Sequence, residues 1–388
     1  MLYSNLACSP GQERLIRASE RLFLGPEDQV NFHFMSHMRN LLRAPDFMEG
    51  FEDELLERKF EQFQREEGFA DLDYRESFIP IPTFTPDELG REAFQARLND
   101  PRSLPVVIKG LISGTRALDT WSHEYLAGAF GDVRINALEF DNDGSYQALS
   151  DDASRNLTLS QIVRGQLSGN RKDSYYINNS AQVFNEFPEL VGEIGGDRAL
   201  ELFRGHAVNT FSQLFVGNTK TWGTNWHQGN DLSCALMING VKRWYFIDPR
   251  LVYIMRPYLN GPNGMMTKGE VRHSLDFQRV QNPLYAFCPK FYVDLEPGDA
   301  LAFTKYWPHA VINQSRFQIM ATLRLTEADL DSLSKGHNAA NLLPVFDNVL
   351  DSDPDFIKFK YEIFQGLGRK EKRIGDEQYF AGFAKTRD

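Results

Sequence analysis

The chain has 388 residues, 42% of them apolar and 24% charged, which sustains a globular core and excludes collagen-like, low-complexity and wholly disordered classes. Its 53 acidic and 42 basic residues leave a net charge of -11, which repels a phosphate backbone, so nucleic acid is not an expected partner. No run approaches the roughly 18 consecutive apolar residues of a membrane span, and the start, MLYSNLACSPGQERLIR, lacks the basic and apolar regions of a secretory signal. A cytoplasmic protein without a membrane partner is expected. Cys8, Cys234 and Cys288 are widely spaced and support neither a disulfide framework nor a thiolate zinc site, so any metal is held mainly by His and oxygen.

In VNFHFMSHMRNLL and FEDELLERKFEQFQREEGF apolar residues recur every three or four positions, which predicts a helical prefix over residues 1–75. His33 and His37 stand four apart there, but the Glu of a zincin motif is absent and the ordinary reading is a helix-surface pair. From FIPIPTFTPDEL onward short strand-like runs alternate with Gly, Pro, Asn and Asp signals: LPVVIKGLI, SYYINN, CALMING, RWYFIDP and DALAFT. They predict a mostly antiparallel β domain over residues 76–326. Helical insertions are expected around HEYLAGAFG and FNEFPELVGEIGGDRALELF. After residue 326 the pattern turns helical again, in TEADLDSLSKG, NLLPVFDNVL and FIKFKYEIFQGLG, over a C-terminal segment 327–388. Arg369, Lys370, Lys372 and Arg373 form its basic cluster, read as a solvated helix end or a dock for an acidic carrier.

Two stretches carry chemistry. GTNWHQGNDLSCALMINGVKRWYFIDP and, further on, LEPGDALAFTKYWPHAVINQS each place one His, His227 and His309, beside a strand. A β-barrel that holds mononuclear non-haem iron uses two His and usually one carboxylate on adjoining strands, leaving positions open for a cosubstrate and oxygen.

On these motifs the chain resembles the JmjC-type cupin domain of Fe(II)/2-oxoglutarate oxygenases, closest in pattern to the asparaginyl-hydroxylase branch. SYYINN is similar to that family's second strand, the Thr224-to-His227 turn to its proximal metal turn, G-x-K-R-W to its next strand and PGDALAFTKYWPHAV to its distal His strand. The resemblance implies a mainly β fold with helical flanks, a double-stranded β-helix of the cupin or jelly-roll kind, using Fe(II), 2-oxoglutarate and O2. His227 and His309 match the iron ligands. Lys242 matches the lysine that pairs with the far carboxylate of 2-oxoglutarate, and Thr224 and Tyr176 match the hydroxyl donors to it. Arg324 is a competing cation for the cosubstrate, because other branches use an arginine on a late strand. Asn178 falls where the family contacts substrate, and Lys305, Tyr306 and Trp307, just before the distal His, are candidates for the same side, with barrel packing as the competing role for Trp307. The C-terminal segment is expected to form a homodimer, by analogy with related hydroxylases.

The departure is at residue 229. The family pattern is His-x-Asp or His-x-Glu, and His227-Gln228-Gly229 puts glycine where the carboxylate belongs. A glycine leaves volume for an ion, and His-x-Gly resembles the non-haem iron halogenases, in which chloride binds iron in place of the carboxylate. Three readings follow. The first is halogenation of an unactivated C–H bond, with Gly229 marking the halide position, on a small molecule or a carrier-bound biosynthetic intermediate. The second is hydroxylation with Asp231 or water supplying the missing ligand. The third is a binding module without turnover. Retention of His227, His309, Lys242, Thr224 and Tyr176 together argues against the third.

Overall fold

Leu232–Asn239 is apolar at nearly every position, and a computed structural model shows why: all but the last of these residues are buried, because the strand is covered on both faces. The structure describes residues 6–41, 47–98, 100, 103–139, 154–170, 175–203, 209–218, 224–229, 232–259, 265–266, 274–326 and 384–385.

Among the described residues the strands are, in chain order, β1 (Phe78–Pro80), β2 (Thr83–Phe84), β3 (Val106–Ile108), β4 (Arg134–Glu139), β5 (Ser154–Thr158), β6 (Tyr175–Ser180), β7 (Asn209–Gly217), β8 (His227–Gln228), β9 (Leu232–Asn239), β10 (Lys242–Phe246), β11 (Tyr258–Leu259), β12 (Met265–Met266), β13 (Lys290–Leu295), β14 (Ala300–Phe303), β15 (His309–Asn313), β16 (Gln318–Thr326) and β17 (Ala384–Lys385). One sheet has the order β1-β13-β10-β15-β8-β12-β11. The other runs β2-β3-β14-β9-β16-β7-β6-β4-β5, with β17 beside β7. Sequence neighbours such as β9 and β10 lie in different sheets, and β10 pairs instead with β13 and β15, both antiparallel. This is the double-stranded β-helix, with helical flanks, that the sequence predicts.

The period-two alternation of each strand divides its side chains between two cores. Ala235 and Met237 of β9, Met320 of β16 and Leu301 of β14 meet Trp244, Phe246, Phe291, Leu295 and Val311 of the opposite sheet inside the barrel. Cys234, Leu236 and Ile238 point the other way, into a core closed by helices that include Ala117, Leu126, Ile162 and Val163. On the outside of the first sheet lie three helices, α1 (Pro10–Ser19), α2 (Pro26–Leu41) and α3 (Glu49–Gln64). Ser9 starts α1 with a capping box, accepting from the Gln12 amide while the Gln12 side chain accepts from Ser9 N. Leu15, Phe32, Leu55 and Phe63 of these helices share one cluster with Trp226, Ile247 and Ala310 of the barrel. At about 1.5–3 kcal/mol per buried side chain of this size, the expected prefix is an integral layer rather than an appendage. It also walls the back of the strands that carry His227 and His309.

The insertion expected as one helical stretch over FNEFPELVGEIGGDRALELF is three short helices, Gln182–Glu186, Leu190–Glu193 and Gly196–Leu202, broken at Pro188 and at Gly195, which adopts φ +75°. His33 and His37 lie in α2, and their side chains fall outside the described residues. The helical C-terminal segment, its basic cluster at 369–373 and the dimer expected from it also fall outside them, apart from β17, which is a strand opposite Thr210 and Asn209. Among the described residues no helix is long and apolar enough to cross a membrane.

Candidate active site

β8 and β15 pair so that His227 and His309 stand directly opposite each other. Cross-strand partners project to the same face, and the two rings lie 4.1 Å apart between centroids at 55°. Each ring is fixed by its own strand: His227 Nδ1 is 2.8 Å from Asn225 O, and His309 Nδ1 is 2.8 Å from Trp307 O. A carbonyl can only accept, so both Nδ1 atoms carry the hydrogen and both Nε2 lone pairs remain for a metal. Burial drives the His227 pKa down to about 4, with the Arg324 cation adding to the effect. Burial and the neighbouring His227 hold His309 well below the ordinary histidine value. Both imidazoles are therefore neutral at pH 7, the form that ligates metals.

Aromatic side chains enclose His309, which is 2% exposed. Trp244 stacks on it at 5.6 Å and 27°, with Phe246 at 5.8 Å and Phe303 at 5.0 Å. On the open side is Gly229, where an added Cβ would meet nothing within 4 Å. Among the described residues no third His, Cys, Asp or Glu joins the pair to make a three-ligand group. Asp231, the alternative ligand, lies outside the described residues.

The Gly229 backbone is tied down across the site. Its carbonyl accepts from Tyr306 N at 2.8 Å, and the Gln228 side chain donates through Nε2 to Tyr306 O at 2.5 Å. Tyr306 itself has φ +66°, a left-handed conformation that costs a non-glycine residue about 1–3 kcal/mol.

Lys242 begins β10 and, by alternation, faces inward with Trp244 and Phe246. It is 1% exposed, and among the described residues its hydrogen-bond partner is Tyr176 Oη at 2.8 Å. The ammonium also lies 5.2 Å over the Tyr176 ring and 5.8 Å over Phe215. Burial lowers its pKa to about 7. A cation so placed, with neutral neighbours, is a ready partner for an entering carboxylate.

The structure thus brings His227 and His309 together, and joins Lys242 to Tyr176. Thr224 is attached to the same strand as His309, its carbonyl accepting from Val311 N at 2.9 Å. Arg324 instead anchors a polar network on the facing sheet, donating to Gln213 Oε1 at 3.0 Å, Ser233 Oγ at 2.5 Å and Asn179 Oδ1 at 3.4 Å. Asn178 presents a buried Oδ1 that has no hydrogen-bond partner among the described residues. Lys305 is buried, its Nζ 5.8 Å over the Tyr306 ring. Trp307 is 1% exposed and packs edge-on against Phe246 and Phe291 at 6.4 Å each, so barrel packing is its place in the structure. Cys234 faces the outer core and burial pushes its thiol pKa up to about 12, which makes it inert.

Three inward residues escaped the sequence reading. Asn313, four positions after His309 on β15, is 2% exposed, and among the described residues neither end of its amide has a hydrogen-bond partner. Trp244 Nε1 and Thr322 Oγ1 are likewise buried and, among the described residues, unpartnered. For Asn313 the signal was available in the alternation that puts 309, 311 and 313 on one face.

A family model for the cupin-like domain matches residues 92–323. The chain belongs to the cupin-like domain family. No curated protein matches it. The cupin-like match takes in both histidines, Lys242, Tyr176, Thr224 and Gly229 and stops one residue before Arg324. Cupins of the JmjC-like kind typically use Fe(II) and 2-oxoglutarate, and the residues here fit that pair. Two neutral imidazoles with committed Nδ1 hydrogens suit a divalent metal, and a buried ammonium among orphaned donors suits a dicarboxylate.

Proposed function

We propose that this cupin-like protein is an Fe(II)- and 2-oxoglutarate-dependent halogenase that chlorinates an unactivated C–H carbon of a small molecule or a carrier-bound biosynthetic intermediate. The observation that carries the reading is the open volume at Gly229 beside the paired imidazoles. His227 and His309 would hold the metal through Nε2. Lys242 and Tyr176, with Thr224, would hold the far carboxylate of the cosubstrate. Iron and 2-oxoglutarate, when bound with O2, supply the oxidising power that C–H cleavage needs.

The chain's own residues account for the rest. Two neutral imidazoles bring no charge to a divalent metal, whereas the usual third ligand brings one negative charge. A chloride at position 229 restores both the charge and the ligand number. The nearby Arg324 cation, which lowers both imidazole pKa values, makes the same region favourable to an anion. Trp244, Phe246 and Phe303 exclude water around His309, and the Gln228–Tyr306–Gly229 bonds keep the gap from closing.

The test is consumption of 2-oxoglutarate by the purified chain with Fe(II) and O2 at varied chloride and bromide. Succinate formation that rises with halide is expected. Turnover indifferent to halide would leave hydroxylation, with Asp231 or water as third ligand. Failure to bind Fe(II) or 2-oxoglutarate would leave a binding module.

A further inference from the structure

Among the described residues inside the barrel, Asn313 has both ends of its side-chain amide buried without a hydrogen-bond partner. It ends β15 as the cross-strand partner of Lys242, and the same strand holds His309 two same-face positions earlier. Val311, between them on that face, packs with Trp244 inside the barrel, so Asn313 also faces inward. An amide that is 2% exposed, with Nδ2 and Oδ1 both unpartnered, is costly unless something polar fills the space in front of it. Directly opposed residues on one face have Cβ atoms about 5 Å apart, so whatever contacts the Lys242 ammonium from this strand pair is within reach of the amide.

We propose that Asn313 is a specificity residue that, with Lys242, selects a dicarboxylate cosubstrate by binding its far carboxylate. The inference rests on the 2-oxoglutarate reading given above. Lys242 has three N–H donors and Tyr176 Oη takes one. A carboxylate takes another from Lys242 and accepts Asn313 Nδ2–H on its second oxygen. With the ligand bound, Asn313 Oδ1 is placed to accept the remaining ammonium hydrogen, while the Asn313 Nδ2–H finds its acceptor in the ligand itself. The unpartnered Trp244 Nε1 and Thr322 Oγ1 are further donors available within the barrel.

The experiment is calorimetry of the full chain loaded with Mn(II), titrated with 2-oxoglutarate and, separately, with 2-oxobutyrate, which lacks the far carboxylate. Asn313→Leu is expected to bind 2-oxoglutarate at least tenfold more weakly than the parent while binding 2-oxobutyrate equally well. Its urea midpoint without ligand is expected to be no lower than the parent's, because the substitution removes an amide whose Nδ2–H has its acceptor in the ligand. Unchanged 2-oxoglutarate affinity, or an equal loss for both oxoacids, overturns the proposal. Should the leucine chain fail to fold, Asn313→Ala is read by the same two affinities. If the parent chain binds neither oxoacid, the cosubstrate reading itself fails, and that outcome is distinct from a parent that binds both and a variant that discriminates no less.

Discussion

Tyr306 donates its backbone N–H to Gly229 O at 2.8 Å and thereby locks the turn before the distal histidine to the turn after the proximal one. Tyr306 makes this bond from a left-handed conformation, and the buried Gln228 amide holds the Tyr306 carbonyl from the other side. The gap beside the histidines is therefore built from both strands at once.

Gln228→Leu should lower stability by about 1–3 kcal/mol, since Tyr306 O is left unpaired in a buried place and the left-handed residue loses its support. Urea denaturation measures the loss. Metal titration should show weaker Fe(II) retention with both histidines still present. A variant as stable and as metal-tight as the parent would show that the bond does not hold the site.

Cosubstrate binding should depend on pH through Lys242. Its pKa of about 7 in the unliganded barrel means that a dianion binding above neutrality must draw a proton onto the ammonium. Affinity for 2-oxoglutarate should therefore fall as pH rises above about 7, by up to about tenfold per unit, with proton uptake visible as a dependence of the calorimetric heat on buffer. The folded-state pKa lies below the unfolded value, so the unfolded chain binds more protons between the two. The unliganded protein should accordingly gain stability as pH rises from about 7 towards the ordinary lysine value of 10.5. Lys242→Met should remove both effects and weaken 2-oxoglutarate binding by about 10–100-fold, the worth of a charge-assisted hydrogen bond.

Gly229→Asp should fold normally. Open space surrounds the position and its backbone is not among the left-handed ones, so a stability change within about 1 kcal/mol is expected. The new carboxylate would occupy the place assigned to the halide. Halide should then cease to affect 2-oxoglutarate turnover, and any product should be hydroxylated, as mass spectrometry of a turned-over substrate would show.

What the sequence made legible follows from local rules. His227, Lys242 and His309 could be placed because each sits at or beside a strand end bounded by Gly, Pro or Asn, and the alternation of β10 and β15 faces them inward. Cys234 was placed on the strand after His227, but the same alternation shows that it points away from the histidines, as the structure does. The Gln228–Tyr306–Gly229 lock was not legible, because it joins segments 77 residues apart through a left-handed tyrosine that no propensity predicts. The Arg324 network was hidden for a related reason: its partners Gln213, Ser233 and Asn179 come from β7, β9 and β6, whose order in the sheet differs from their order in the chain. Trp307 was placed before the distal His, but its packing against Phe246 and Phe291 was not legible, because those rings come from other strands of the sheet.

The most direct measurement is X-ray absorption at the bromine and iron edges on anaerobic protein loaded with Fe(II), 2-oxoglutarate and bromide. A bromine scatterer directly bound to iron, lost in Gly229→Asp, is the predicted result. An iron surrounded only by nitrogen and oxygen, with bromide free in solution, would contradict the assignment.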